Sequence, residues 1–230
     1  MRLPYCLSVS ESIDLGSLYR DIRLRVSELV AGLDAETLAA FAPACPEWAV
    51  RDVLAHVVAI AEDAVSGRLA GLPDDEFTAG QVARMGPVPV PELLDRWSAA
   101  GPAFEQGIAA MGIWPAVVDA ATHEQDIRGA VGAPGARQCA AITLGIGRLL
   151  NGLDLPVPVQ IVTEDSSYLV GPGTDAEPLV LTTTRFEAFR WRMGRRSPDQ
   201  LAAMAWSAPP PAAVLKALPM FGPSIADVHE

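Results

Sequence analysis

Apolar residues recur at every third or fourth position through most of the first 150 residues, which is the spacing of amphipathic helices. In the first such segment, from Leu15 to about Gly32, the residues Leu18, Ile22, Val26 and Leu29 fall on one face. The same pattern predicts helices over about 50–69, 91–111 and 138–152, and another from the break at 112–115 to about residue 131. A short helical turn after residue 34 and a broken helical region ending near residue 85 complete this part. The pattern predicts a four-helix-type bundle.

The pattern changes after residue 155. Three short β-type runs, at 159–164, 167–171 and 178–183, are separated by turn-forming residues. Two further segments, 184–193 and 198–205, are predicted to be helical. The fold class is therefore predicted to be α+β, with a helical bundle over 1–155 and a small α+β domain over 156–230. The tail that follows Pro209, through Glu230, is predicted to be peripheral.

Composition narrows the class of function. The chain of 230 residues has a net charge of −11 and is 50% hydrophobic, which favours a well-packed core and disfavours nucleic acid or an anionic membrane as a partner. The first residues are not expected to form a secretory signal, and the sequence has no run of the roughly 18 apolar residues that would span a membrane. Cys6, Cys45 and Cys139 are widely spaced, so no disulfide framework is indicated. We expect a cytoplasmic protein that acts on a small molecule.

Three side chains form a candidate metal site. Asp119 and His123 are four residues apart, so a helix places them on one face. His56 lies in another apolar helical segment and is the third candidate ligand. Three protein ligands with an open fourth position are typical of a catalytic metal ion. The alternatives are that Asp119 and His123 form a solvent-exposed pair on the helix and that His56 is a hydrogen-bonded histidine near an interface. The apolar residues around Asp119 favour the metal, because a cation removes the cost of an unpaired buried carboxylate.

Three other charged residues, Asp126, Arg195 and Arg196, each have two possible roles. Asp126 lies three residues after His123 and either accepts a hydrogen bond from a ligand histidine or pairs with Arg128 or Arg51. Arg195 and Arg196 follow Gly194 near a predicted helix end. They either stabilise that end or hold a substrate carboxylate.

Three further residue types receive simpler interpretations. Glu124 is expected to be a solvated surface residue, and Trp48 an anchor in the bundle core. The cysteines are expected to be small buried hydrophobic residues, since no histidine or lysine lies near them in the sequence to activate a thiol.

Three segments together resemble the mycothiol-dependent maleylpyruvate isomerase-like family, whose members are relatives of the DinB-type metalloenzyme bundles. Residues 45–56 are similar to its Cys-Pro-x-Trp-x-Val-Arg-Asp-x-x-x-His signature, and residues 119–126 to its Glu-x-x-x-His-x-x-Asp stretch. Residues 186–197, followed by Trp206, resemble its small C-terminal domain. One position departs from the family pattern, because Asp119 stands where Glu is common.

This resemblance implies a DinB-like bundle with a divalent metal, most commonly zinc, held by His56, Asp119 and His123. It also implies mycothiol as a co-substrate, whose thiolate attacks an activated carbon and either forms a thioether or isomerises a double bond. Two alternatives stay open. One is a thiol-independent metal-dependent hydrolase, cyclase or isomerase of a secondary metabolite, and the other is a non-catalytic metal-binding or regulatory module.

Overall fold

Four long helices form the N-terminal bundle in the computed structural model, which describes residues 13–174 and 176–230. They are α1 (Leu15–Ala31), α3 (Val50–Val65), α5 (Val90–Met111) and α6 (Trp114–Ala130). The side chain of Asp14 caps α1 by accepting a hydrogen bond from the amide of Ser17. Gly112 ends α5 in the left-handed conformation, at φ 67°, and the chain turns there directly into α6. Each of α1 and α3 packs against both α5 and α6, as the apolar spacing predicts.

Three shorter elements and a seventh helix complete this part of the chain. They are α2 (Ala35–Ala39), α4 (Asp75–Met85), α7 (Ala140–Asn151) and a hairpin of β1 (Phe41–Ala42) and β2 (Cys45–Ala49). The hairpin is antiparallel and leads straight into α3. Residues 41–49 were predicted only as a break between helices, because two prolines and a two-residue strand leave no alternating pattern to detect.

A four-stranded sheet with three helices forms the C-terminal part. Its elements are β3 (Val159–Val162), β4 (Ser167–Val170), β5 (Leu179–Thr182), α8 (Arg185–Arg192), α9 (Pro198–Ala202), β6 (Ala205–Trp206) and α10 (Ala212–Ala217). The strand order is β4-β3-β5-β6, with β3 and β5 parallel and the other two pairs antiparallel. This confirms the predicted α+β class. The predicted domain boundary near residue 155 falls in the loop between α7 and β3 and stays a prediction.

The C-terminal part packs on the bundle through α7, which contacts both α8 and β4. The tail also contributes to the buried interior, because Val214, Leu218 and Val228 are at most 3% exposed. The prediction of a peripheral tail was therefore wrong. Among the described residues, no helix is both long and apolar enough to cross a membrane.

Candidate metal centre

Two helices of the bundle bring His56, Asp119 and His123 together. Nε2 of His123 lies 3.5 Å from Oδ1 of Asp119, one turn away on α6. Nε2 of His56, on α3, lies 3.8 Å from Oδ2 of the same carboxylate. The two imidazole rings meet edge to face with centroids 4.9 Å apart. We call these three residues the metal trio.

The metal trio fits a divalent cation. One donor atom from each residue lies within 4.8 Å of the others, whereas donors around a tetrahedral zinc ion are roughly 3.3 Å apart. Small side-chain movements would close that difference. Nε2 is the nitrogen of His56 that faces Asp119, whereas Nδ1, on the other side of the ring, is buried and has no hydrogen-bond partner among the described residues, as expected of a group that binds a water molecule. Two nitrogens and one oxygen suit zinc and its neighbours in the first transition series.

The charges in the metal trio depend on one another. Burial alone would raise the pKa of Asp119, but the adjacent His123 and His56 outweigh burial and lower that pKa. Burial would lower the pKa of His123, but the Asp119 carboxylate outweighs it and raises that pKa well above its ordinary value. In the protein alone, Asp119 and His123 therefore form an ion pair, and a cation would replace the imidazole proton as the counter-charge.

Asp126 orients His123 and links it to the C-terminal part. Its Oδ2 lies 3.0 Å from Nδ1 of His123, which leaves Nε2 directed to Asp119. Its Oδ1 accepts a hydrogen bond of 2.7 Å from Arg190 on α8, and Arg195 donates to Oδ2 at 2.9 Å. Burial would raise the pKa of Asp126, but the two arginines hold it well below its ordinary value.

Of the two alternatives for Asp126, the hydrogen bond to a ligand histidine is the one that the geometry supports. Its arginine partners are Arg190 and Arg195, not the predicted Arg128 or Arg51. Arg51 donates instead to the carbonyls of Met85 and Val88.

Glu124 was also misinterpreted from the sequence. It is 1% exposed and pairs with Arg25 on α1 and with Arg128 one turn away on α6. The expectation of a solvated surface residue was wrong, because nearly the whole circumference of α6 is covered by other elements.

The β1–β2 hairpin brings Cys45 and Trp48 to the metal trio. The Sγ atom of Cys45 lies 3.3 Å from Oδ2 of Asp126 and 3.4 Å from Arg195. The expectation that Cys45 is a small buried hydrophobic residue was therefore wrong, since it is half-buried and contacts charged groups that are distant in the sequence. Cys139 is half-buried at the start of α7, and Cys6 lies outside the described residues.

Trp48 is half-buried and does not lie in the core as predicted. Its ring centroid is 5.2 Å from that of His56 and 6.0 Å from that of His123. The indole therefore forms a wall beside the metal trio.

A cavity of about 540 Å³ opens on the His123 side of the metal trio. We call it the arginine cavity, since Arg195 is the one arginine among the described lining residues. The other lining residues are Ala44–Trp48, Asp75, Thr78, Ala79, His123, Met193, Gly194 and Phe221–Ile225. The hairpin, α4, the turn after α8 and the tail thus meet at one opening.

The two candidate substrate-binding arginines have different surroundings. Arg195 lines the arginine cavity, and its side chain is 15% exposed. Arg196 is not a lining residue; its guanidinium group pairs with Glu187 and Glu230. The position of Arg195 suits a substrate contact, whereas Arg196 holds the turn after α8 against the tail.

A second cavity, of about 480 Å³, opens on the Asp119 side. We call it the apolar cavity. It lies between α3, α5, the start of α6 and the loop after α3, and its lining residues are Ile60, Ala64, Val65, Leu69, Gly71–Pro73, Ala103, Phe104, Gly107, Met111, Ile113, Pro115, Ala116 and Asp119. Since Asp119 and His123 are in contact, the metal trio lies between the two cavities.

Comparison with known proteins finds a family and two solved structures that are similar to this chain. The model of the mycothiol maleylpyruvate isomerase N-terminal domain matches residues 19–137, more than half of the chain. The crystal structure of the mycothiol-dependent maleylpyruvate isomerase is similar over 87% of this chain and 94% of its own, with a TM-score of 0.61 at 14% identity. A histidine-to-alanine mutant of that enzyme gives a TM-score of 0.59 at 12% identity over the same shares. No curated protein sequence matches the chain.

Proposed function

The chain belongs to the mycothiol maleylpyruvate isomerase N-terminal domain family, and on that premise we propose that it is a metal-dependent enzyme that activates a low-molecular-weight thiol such as mycothiol. The thiol would be transferred to a small electrophilic substrate or would isomerise it. The observation that carries this proposal is the geometry of the metal trio. Its donor atoms are close enough to share one cation, and an open cavity lies on either side of them.

His56, Asp119 and His123 would hold the ion, with zinc as the best match to their donor atoms. When bound, such an ion lowers the pKa of a thiol and so makes thiolate, the reactive nucleophile, available at neutral pH. Asp126 keeps the His123 ring in one orientation through the hydrogen bond to Nδ1. Asp in place of Glu is compatible with this role, since the carboxylate already contacts both imidazoles.

The arginine cavity would receive the thiol co-substrate. Arg195 keeps its charge at any working pH, because the Asp126 carboxylate outweighs the effect of burial and raises the guanidinium pKa. Nε and Nη2 of that group donate to Asp126, and Nη1 donates to the carbonyl of Met193. Nη1 has a second hydrogen that could pair with a carboxylate or a polar oxygen of a molecule in the cavity that Arg195 lines. Arg196 would contribute indirectly, by fixing the turn that carries Arg195.

The test of the metal site is elemental analysis of protein purified without added metal, for the wild type and for His56→Ala, Asp119→Ala and His229→Ala. His229 is the chain's third histidine and is exposed in the tail, so it provides a matched control. We expect about one equivalent of metal in the wild type and in the control, and none in the other two variants.

Thiol dependence is tested with the metal-loaded wild type. Loss of turnover when the thiol is omitted would support the proposal, whereas equal turnover without it would favour a hydrolase or cyclase. If no metal is bound by the wild type, even on titration, the proposal is wrong.

A further inference from the structure

The apolar cavity begins at the metal trio. Asp119 lines it while contacting both histidines. From there the cavity follows α3, where Ile60 and Ala64 lie one and two turns beyond His56. A molecule in this cavity would have one end beside the metal trio and the rest of its body in the bundle.

The lining of the apolar cavity is almost entirely hydrocarbon. Among the described residues that form it, Asp119 provides the single polar side chain, and there is no arginine, lysine or histidine. The arginine cavity differs in this respect, because Arg195, Asp75 and Glu47 all line it. A carboxylate in the body of the apolar cavity, away from the metal trio, would find no basic side chain among the described lining residues. Its desolvation there would cost several kcal/mol.

We propose that the apolar cavity binds the electrophilic substrate and that the part of this substrate directed away from the metal trio is an uncharged hydrocarbon body. The inference rests on the proposed function, since it assigns the second reactant to the side of the metal trio opposite the thiol. It excludes substrates that carry a carboxylate on the part directed away from the metal trio.

Size and surface exposure agree with a small-molecule occupant. The cavity's 480 Å³ lies within the range of about 300–1,000 Å³ that is typical of ligand sites. Leu72 is 82% exposed and Met111 71% exposed at its lining, so a bound hydrocarbon would remove apolar surface from water. Each Å² so covered contributes roughly 25 cal/mol.

The first part of the test compares two probes that differ by one carboxylate. Equilibrium dialysis of the full chain is carried out with benzylacetone, a neutral and unreactive ketone, and with its para-carboxylate. We expect the neutral probe to bind at least roughly a hundred-fold more tightly, which corresponds to the cost of an unpaired carboxylate. Equal affinity, or tighter binding of the carboxylate, would overturn the inference.

The second part localises the binding with two glycine variants. Gly107 lies on α5 at the cavity, and a Cβ atom added there meets only the end of Met111, at 3.6 Å. Gly107→Leu therefore fills the cavity without a backbone clash. Gly147→Leu is the matched control, because Gly147 is also helical and a Cβ atom there meets nothing within 4 Å.

We expect Gly107→Leu to weaken binding of the neutral probe by roughly ten-fold or more, and the control to leave it unchanged. Unchanged binding in Gly107→Leu would place the probe elsewhere and overturn the inference. Disruption of a dimer by Gly107→Leu, seen by sedimentation, would also overturn it, because a second copy would then cover the cavity.

Failure of this inference can be distinguished from failure of the proposed function. Probe binding requires neither metal nor thiol. Selective binding of the neutral probe without metal uptake would leave the cavity assignment intact and contradict the proposed function. Metal uptake and thiol-dependent turnover of an anionic substrate, without binding of the neutral probe, would support the proposed function and contradict the cavity assignment.

Discussion

Asp126 connects the charges of the C-terminal part to the metal trio. Its carboxylate contacts His123, Arg190 and Arg195 at once. In Asp126→Asn the side chain keeps its volume but loses its charge and one acceptor oxygen, so it holds the His123 ring less firmly. We expect metal affinity to fall about ten- to a hundred-fold, measured by competition with a chromogenic chelator.

Asp165→Asn provides the control for this variant. Asp165 is exposed in the turn between β3 and β4 and contacts only surface groups such as Arg185, so its replacement should leave metal affinity unchanged. Wild-type affinity in Asp126→Asn would show that the hydrogen bond to His123 has no effect on the ligand.

The metal trio was predictable from the sequence, and much of its surroundings was not. Asp119 and His123 are one helical turn apart, and the helical period alone places them on one face. Cys45 and Arg190 reach Asp126 from segments 81 and 64 residues away. No local pattern reports such contacts, since they depend on how the hairpin and α8 dock onto α6.

The packing of α7 against α6 and α8 depends on the absence of a side chain at Gly145. A Cβ atom added at Gly145 would lie 2.8 Å from the ring of Phe189 on α8 and 3.2 Å from Val118 on α6. Gly145→Ala should therefore destabilise the protein by about 1–3 kcal/mol through overpacking, as measured by urea denaturation. Gly147→Ala, on the same helix with open space around it, should instead stabilise the protein by about 0.5–1 kcal/mol. Equal effects of the two variants would contradict the packing of α7 described above.

At the scale of whole elements, sequence patterns predicted the long helices and the three strands β3 to β5 to within a few residues. Their buried positions follow the apolar residues, which recur with a period of about 3.6 residues in α1 and of two residues in β3. The β1–β2 hairpin was missed because its pairing is short and irregular, with a register shift between Phe41 and Ala42. That hairpin carries Cys45 and Trp48, so the least predictable element forms a large part of the wall of the arginine cavity.

The tail joins the two parts of the molecule. Residues Phe221 to Ile225 form one side of the arginine cavity, and the segment is held by hydrogen bonds from Ser224 to Arg196 and from Gln200 to Val228. The run of three prolines at 209–211 and the tail after it were predicted to be peripheral. Its actual role depends on single polar contacts, which composition does not reveal.

Glu230 holds the tail through buried ion pairs. Its side chain is 4% exposed and pairs with Arg190, which is fully buried, and with Arg196. Glu230→Gln leaves Arg190 with Asp126 as its remaining carboxylate partner among the described residues, so we expect a loss of about 3 kcal/mol in the free energy of unfolding. We also expect faster amide hydrogen exchange in residues 221–229, because the segment then loses its anchor.

Glu92→Gln, which breaks an exposed pair with Arg96, should cost less than about 1 kcal/mol and leave exchange in the tail unchanged. Equal exchange in the wild type and in Glu230→Gln would mean that the buried apolar residues of the tail hold it without the ion pair.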